Sequence, residues 1–402
     1  MNIKLIVSNL FTVIIAFPLF SQQVKSDNRF EGYLFAYFEG KGEGVDQEQL
    51  RFAISEDAIY WYALNENHPI IPSSRISQTG GIRDPHILRG GKNDGFYIVA
   101  TDMFTVRDGW GSNPGIIMMR SDNLVDWEHS IIDLVKLYPE KFGNVHWVWA
   151  PQTFYDEKVK KYLVYFTVRY KDDDKLDFYA AYANKDFSGF EEEPQLIFNP
   201  KYGGIDGDII YKDGLYHFFF KGNTKDENGK EVKNGIQQAT SKSLKGSWKE
   251  DFKYIDAYAD TSVVVEGSSI FKLNNSDEYI LMYDLYADGH YEFQRSNDLF
   301  NFTQDPESFT KDFYPRHGSV IGVTRDEIRR LHEKWGGVPG SLTQSVDPGA
   351  HSQFQSEVRR SPKAILPGDY PDPTIVRDGK DYYMTHSPFY YTICCSRKSR
   401  HE

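Results

Sequence analysis

Four polar residues in this 402-residue chain each stand at the start of a short apolar run: Asp84 in Gly-Ile-Arg-Asp-Pro-His, Asp206 in Gly-Gly-Ile-Asp-Gly-Asp, Glu266 in Val-Val-Glu-Gly-Ser-Ser, and His317 in Arg-His-Gly. Carboxyl groups crowded in one place push each other's pKa values apart, which leaves one ionised and another protonated. Hydrolysis of a glycosidic bond uses that pairing, one carboxylate activating water or attacking the sugar and one acid protonating the leaving oxygen. Asp208 lies two residues beyond Asp206 and competes with it for the third position, and Asp102, in Ala-Thr-Asp-Met, is a further acid with a supporting role.

These residues lie far apart in sequence, so something must bring them together. Strand patterns dominate the chain: YLFAYF, FYIVAT, KYLVYFTV, LYHFFFK and YILMYDLY recur between Gly and Asp turns. One phrase repeats, a polar opener, a short strand, a turn and an aromatic strand, at Asp84, at Ala150-Pro151-Gln152, at Asp206 and at Glu266. A second phrase closes each unit, as RSDNLVDW from 120, ANKDFSGF from 183, TSKSLKGSW from 240 and RSNDLFNF from 295.

Two pieces are left over, a closer without an opener at Ser55 to Trp61 and an opener without a closer at Arg316 to Ile321. They complete each other if the chain is circular in space. The expectation is therefore an all-β, five-bladed propeller over residues 29–335, closed by pairing of N-terminal strands with the last inner strand, which removes free sheet edges. Inner strands of a propeller line its axis, so the openers converge there. A Thr cap at Thr324 and a stop at Gly336 predict one short helix after the ring.

Residues 1–22 read as a cleaved secretory signal, with Lys4 before an apolar run from Leu5 to Phe20, which places the protein outside the cytoplasm, secreted or periplasmic, with no membrane span. The two cysteines, Cys394 and Cys395, leave the main fold without a disulfide or thiol nucleophile. A net charge of -12 repels nucleic acid, while 28 Phe and 27 Tyr suit a strand core and stacking on sugar faces. Residues 336–366 read as a linker rich in Gly, Pro and Ser. Residues 367–402 read as the truncated first hairpin of a second propeller, Tyr370-Pro371-Asp372-Pro373 turning at Asp378-Gly379, plus an irregular tail SRKSRHE.

The order and blade assignment of Asp84, Asp206 and Glu266, together with RDPHIL and WAPQTFYD, resemble glycoside hydrolase family 43 over about residues 30–335. The resemblance implies a general base at Asp84, a general acid at Glu266 whose pKa is raised by burial and neighbouring acids, and Asp206 as the group that orients the acid and tunes its pKa. It implies inversion at the anomeric carbon. It places His317 beside a possible hydrated calcium ion, with no cofactor required. Substrate contacts are expected from Arg83, Trp149, Arg295 and Phe104, with Trp147 also near the second opener. The implied substrate is a plant cell-wall polysaccharide or oligosaccharide bearing α-L-arabinofuranose, with β-xylosidase and endo-arabinanase activity as alternatives. A catalytically silent sugar-binding propeller is the alternative of another class, and the oligomeric state stays open.

Overall fold

The computed structural model describes residues 30–40, 47–91, 94–222, 235–256, 263–287, 289–305, 309–311 and 313–343, and the strands at 374–378, 381–386 and 394–398. The stretch read as a leader, 1–22, and most of the stretch read as linker lie outside the described residues. The chain divides into a unit through Gln344 and a second from Ser345.

The first unit contains five antiparallel four-stranded sheets. Three strands near the N-terminus, β1 (Phe30–Glu39), β2 (Arg51–Ser55) and β3 (Trp61–Ala63), are the outer strands of the closing blade, blade V. Blade I follows as β4 (Ile82–Arg89), β5 (Phe96–Asp102), β6 (Gly115–Ser121) and β7 (Glu128–Asp133). Blade II is β8 (Val145–Asp156), β9 (Lys161–Tyr170), β10 (Asp173–Tyr182) and β11 (Gln195–Phe198). Blade III is β12 (Gly204–Lys212), β13 (Leu215–Gly222), β14 (Gly235–Ser241) and β15 (Lys249–Glu250). Blade IV is β16 (Glu266–Lys272), β17 (Tyr279–Leu285), β18 (His290–Ser296) and β19 (Thr303–Gln304).

The inner strand of blade V is β20 (Pro315–Thr324), which pairs with β1 from Phe30↔Thr324 to Glu39↔Pro315. The two leftover sequence pieces thus form one sheet, and the five-bladed propeller closes as expected. Five apolar clusters fill the five gaps between blades, for example Val99, Met118, Val164 and Phe166 between I and II, or Phe35, Tyr37, Met282 and Tyr291 between IV and V. A second strand such as β5 or β17 is flanked by blades on both faces and is buried at every residue. This is why these strands read as unbroken apolar runs rather than alternating ones.

The closers are one turn made repeatedly. Ser55, Ser121 and Ser296 each accept from the N–H three residues on, at Ala58, Leu124 and Leu299, while Asp57, Asn123 and Asp298 accept from the next two amides. These side chains satisfy the turn's orphaned N–H groups between third and fourth strands. The helix Arg325–Trp335 has the expected Thr324 cap, with Glu327 completing a capping box. Val338 and Leu342, within the stretch read as linker, join the core beside it.

In the second unit, the strand Thr374–Asp378 pairs with Asp381–His386 as the hairpin expected there. A third strand, Cys394–Lys398, pairs with the latter and takes in part of the tail read as irregular. Backbone ladder bonds need no apolar alternation, so the sequence pattern carried no sign of it.

Candidate active site

Every inner strand breaks register at the same point. The bulges fall at Arg83/His86, Trp149/Gln152, Ile205/Asp208 and Glu266/Ser269, and in β20 at the step from Arg316 to Ser319 opposite Phe38 and Ala36. A bulge re-aims side chains and tightens the local twist. Asp84, Ala150, Asp206 and Gly267 occupy these bulges with positive φ of 50°, 44°, 55° and 65°. For the three non-glycine residues that is strain of the kind stored at functional sites, on the order of 1–3 kcal/mol each.

Aligning the bulges sorts the axis into rungs. The bulge rung holds Asp84, Ala150, Asp206, Gly267 and His317; the rung before it holds Arg83, Trp149, Ile205, Glu266 and Arg316. The lower rung brings together Asp84, Asp206 and His317, with His317 Nδ1 3.4 Å from Asp84 Oδ1 and 3.7 Å from Asp206 Oδ1. Glu266 stands one rung above, where Lys221 Nζ meets its Oε2 at 3.1 Å and Arg316 Nη2 meets its Oε1. Asp206 fixes the peptide that follows the acid: its Oδ2 accepts from Gly267 N–H at 3.0 Å.

The electrostatics separate the carboxyls. Burial works to raise Asp84, but the imidazolium of His317, the charge of Arg83 and the Thr101 hydroxyl hold it below the ordinary Asp value. Burial, with the charges of Glu266 and Asp84, pushes Asp206 up to about 6 against the pull of His317 and Lys221. Burial opposes a charge on His317, yet Asp206 and Asp84 outweigh it and hold the ring up to about 9. Glu266 differs from expectation. Burial raises it, but Lys221 and Arg316 more than offset that, so its pKa lies below the usual Glu value.

Asp208 belongs to a different rung. Its Oδ2 accepts from Ile270 N–H at 2.7 Å and its Oδ1 lies 3.7 Å from His86 Nε2. At the equivalent position of blade V, Ser319 accepts from Ile87 N–H, and at that of blade I, His86 meets Thr153 N–H. This rung stitches neighbouring blades together, and Asp206 rather than Asp208 reaches the acids. Asp102 accepts from Ser77, Gln78 and Thr79 and so anchors the loop that leads into β4.

Of the expected substrate contacts, Arg83 and Trp149 lie at the site and Arg295 and Phe104 do not. Arg83 is buried, bound to Glu48 at 2.6 Å and packed over Phe38. Arg295 sits on the third strand of blade IV, held by Asp305 at 2.5 Å and Glu278 at 3.5 Å, because closers belong to the outer strands rather than the axis. Phe104 is buried against Gly81 at the end of β5. His317, expected beside a hydrated calcium ion, lies between the Asp84 and Asp206 carboxylates.

The sequence reading missed Lys221, Asp284 and Arg316. Each second strand places one residue opposite the upper rung: Thr101, Thr167, Lys221, Asp284 and Phe38. Four of these five reach the next blade's inner strand, as Thr101 to Ala150 N–H, Lys221 to Glu266, Asp284 to Arg316, and Phe38 beneath Arg83. The signal was present as a lone charge ending an apolar run, Lys221 in LYHFFFK and Asp284 in YILMYD.

A family model described as a probable glycosyl hydrolase domain, related to family 43, matches residues 28–329. An α-L-arabinofuranosidase of Bifidobacterium longum subsp. longum is 25% identical over 291 residues, 64% of this chain and 27% of that protein. The chain thus spans about a quarter of the length of the curated relative it matches. Among solved structures, a family-43 β-1,3-galactosidase with galactodeoxynojirimycin aligns at a TM-score of 0.50 and 14% identity, covering 71% of this chain and 96% of that one. A thermostable family-43 glycoside hydrolase aligns at 0.42 and 20% identity, covering 59% and 78%.

Proposed function

Because the chain belongs to the glycosyl hydrolase 43-related family and folds as a five-bladed propeller, we propose that it is a glycoside hydrolase that cleaves α-L-arabinofuranosides of plant cell-wall glycans with inversion. The observation that carries this reading is the two-rung cluster. Asp84 and Asp206 share His317 on one rung, and Glu266 stands above them on the next.

Asp84, kept ionised by His317, takes a proton from the water that attacks the anomeric carbon. Glu266 protonates the leaving oxygen, and Asp206 orients it by holding the Gly267 amide. Lys221 and Arg316 favour the ionised form of Glu266. A sugar that displaces water from the upper rung desolvates the carboxylate, which favours its neutral, donating form. Inversion calls for a water between base and sugar and carboxyl groups about 6.5–9.5 Å apart.

Arabinose specificity is supported by the name of the 25% identical relative and by the front-end motifs of the sequence. The apolar run between Leu5 and Phe20 supports export through a cleaved leader, which N-terminal sequencing of the secreted protein would test. Incubation with a panel of nitrophenyl arabinosides, xylosides and galactosides, with the released anomer followed by NMR, tests the activity. Release of the inverted anomer of arabinose is expected. A retained anomer sinks the mechanism, another sugar sinks the specificity, and binding without turnover in the wild type favours a silent propeller.

A further inference from the structure

Four aromatic rings line one side of the site's mouth. Inner strands β4 and β12 begin two residues before their bulge residues, but β8 begins at Val145, five residues before Ala150. Its first half therefore rises past the acids as a wall. Trp149 and Trp147 stand on that wall, stacked at 4.0 Å and 15°, and His146 stacks on Trp147 at 4.5 Å. Trp110 meets Trp149 edge-on at 5.9 Å, and its ring lies 5.1 Å from the Arg83 guanidinium, next to Asp84.

The wall is rigid. Trp149 Nε1 donates to Asn113 Oδ1 at 2.9 Å and Trp147 Nε1 to Gly111 O at 3.2 Å. Asn113 exchanges backbone bonds with His146 and Val148, and its side-chain amide donates to Val148 O. Across the strand, Arg169 lies over Trp147 at 4.4 Å. The loop carrying Trp110 is thus sewn to β8, yet Trp110 itself is 59% exposed. A large indole held rigidly in solvent beside a polar site is a prepared stacking surface, since aromatic rings gain most from burying an apolar face.

We propose that Trp110, braced by the stacked pair Trp149 and Trp147, forms a binding shelf for the sugar on the leaving-group side of the cleaved bond, so that the ligand is a glycan chain rather than a small glycoside. The assignment rests on the glycosidase reading. Glu266 stands one rung nearer the mouth than Asp84, so the leaving oxygen it protonates points outward, toward the wall. Arg83 joins Trp110 directly to Asp84, the residue that follows it in the chain. Arg169 offers a charged donor at its outer end for hydroxyl groups.

The test is calorimetric binding of arabino-oligosaccharides and xylo-oligosaccharides of one to five residues to Glu266→Gln protein, with and without Trp110→Ala. Affinity is expected to rise at least about tenfold from monosaccharide to tetrasaccharide, equivalent to about 1.4 kcal/mol, and Trp110→Ala is expected to abolish most of that gain. Affinity independent of chain length, or a gain unaltered by Trp110→Ala, overturns the shelf. Absence of saturable binding by either protein does so too. Turnover of nitrophenyl glycosides by the wild type is measured in parallel. Its failure would remove the hydrolase reading and the leaving-group assignment with it, whereas the shelf as a glycan-binding surface is judged by binding without chemistry.

Discussion

Glu266 and Asp284 face each other as cross-strand partners in blade IV, and one guanidinium, that of Arg316, reaches both carboxylates. Asp284 is wholly buried; its Oδ2 meets Arg316 Nε at 2.5 Å, and its Oδ1 has no hydrogen-bond partner among the described residues. Burial above all, with the charge of Glu266, pushes Asp284 up to about 6 against the pull of Arg316. Below that pH Arg316 serves Glu266 alone, and above it the two carboxylates share the cation. Asp284→Asn fixes the first condition at every pH. Glu266, the proposed acid, then ionises earlier, and the alkaline limb of kcat/KM is expected to move down by about one pH unit. A profile of unchanged shape would separate Asp284 from the acid's titration.

Lys221 acts on Glu266 in the same direction as Arg316 but from blade III. Removing it in Lys221→Met takes away one of two cations that depress the acid, so the alkaline limb moves up, by about one pH unit. Stability carries an independent signature. Glu266 has a lowered pKa, so its pairing stabilises the fold above the unfolded value near 4.5 and loses that effect as pH falls through the lower folded value. The variant's loss of thermal stability is therefore largest at neutral pH and shrinks in acid, as scanning calorimetry at several pH values would register.

The ring itself was legible because blade closure leaves a mark in sequence: an unpaired closer near Ser55 and an unpaired opener near His317. The acids were legible because they sit at strand openings, where each repeat restarts. What could not be read was the rung of each residue. A bulge shifts register by one, and nothing in Val-Glu-Gly or Arg-Asp-Pro says whether the acid precedes the bulge, as Glu266 does, or occupies it, as Asp84 does. The cations were hidden for a related reason. Lys221 and Asp284 come from second strands, whose apolar composition reads as core, and their partners lie in the next blade. Arg295 was misplaced by its chemistry alone, since nothing in a closer's sequence tells an axial arginine from one on an outer strand.

His317 links activity to pH through Asp84. Its folded pKa is about 9, raised from 6.5 by Asp206 and Asp84 against burial. A raised pKa gives stability that is complete below 6.5 and lost as pH climbs through 9, on the order of 3 kcal/mol for the whole cluster. Wild-type melting temperature should fall across that window, and His317→Gln should flatten the fall. The same variant frees Asp84 from its cation, so the acid limb of kcat/KM moves upward. A wild-type melting temperature constant from pH 6.5 to 9 would contradict the pairing.

Asp84 combines two properties that substitution can separate, its charge and its backbone, which has φ of 50° directly before Pro85. Asn tolerates the left-handed region better than most residues and Gly tolerates it without steric penalty, whereas Ala resists it by about 1 kcal/mol or more. Asp84→Asn, Asp84→Gly and Asp84→Ala all remove the proposed base, so each is expected to lower kcat by about 10²–10⁴. They should differ in stability, with Ala the least stable of the three because it alone keeps a Cβ without a side chain able to bond the strained turn. Equal activity losses with unequal melting temperatures would assign the charge to catalysis and the bulge to the fold. If instead Asp84→Asn kept most of its turnover, the attacking water would have to be activated by another group, and the only acid within reach of the same histidine among the described residues is Asp206.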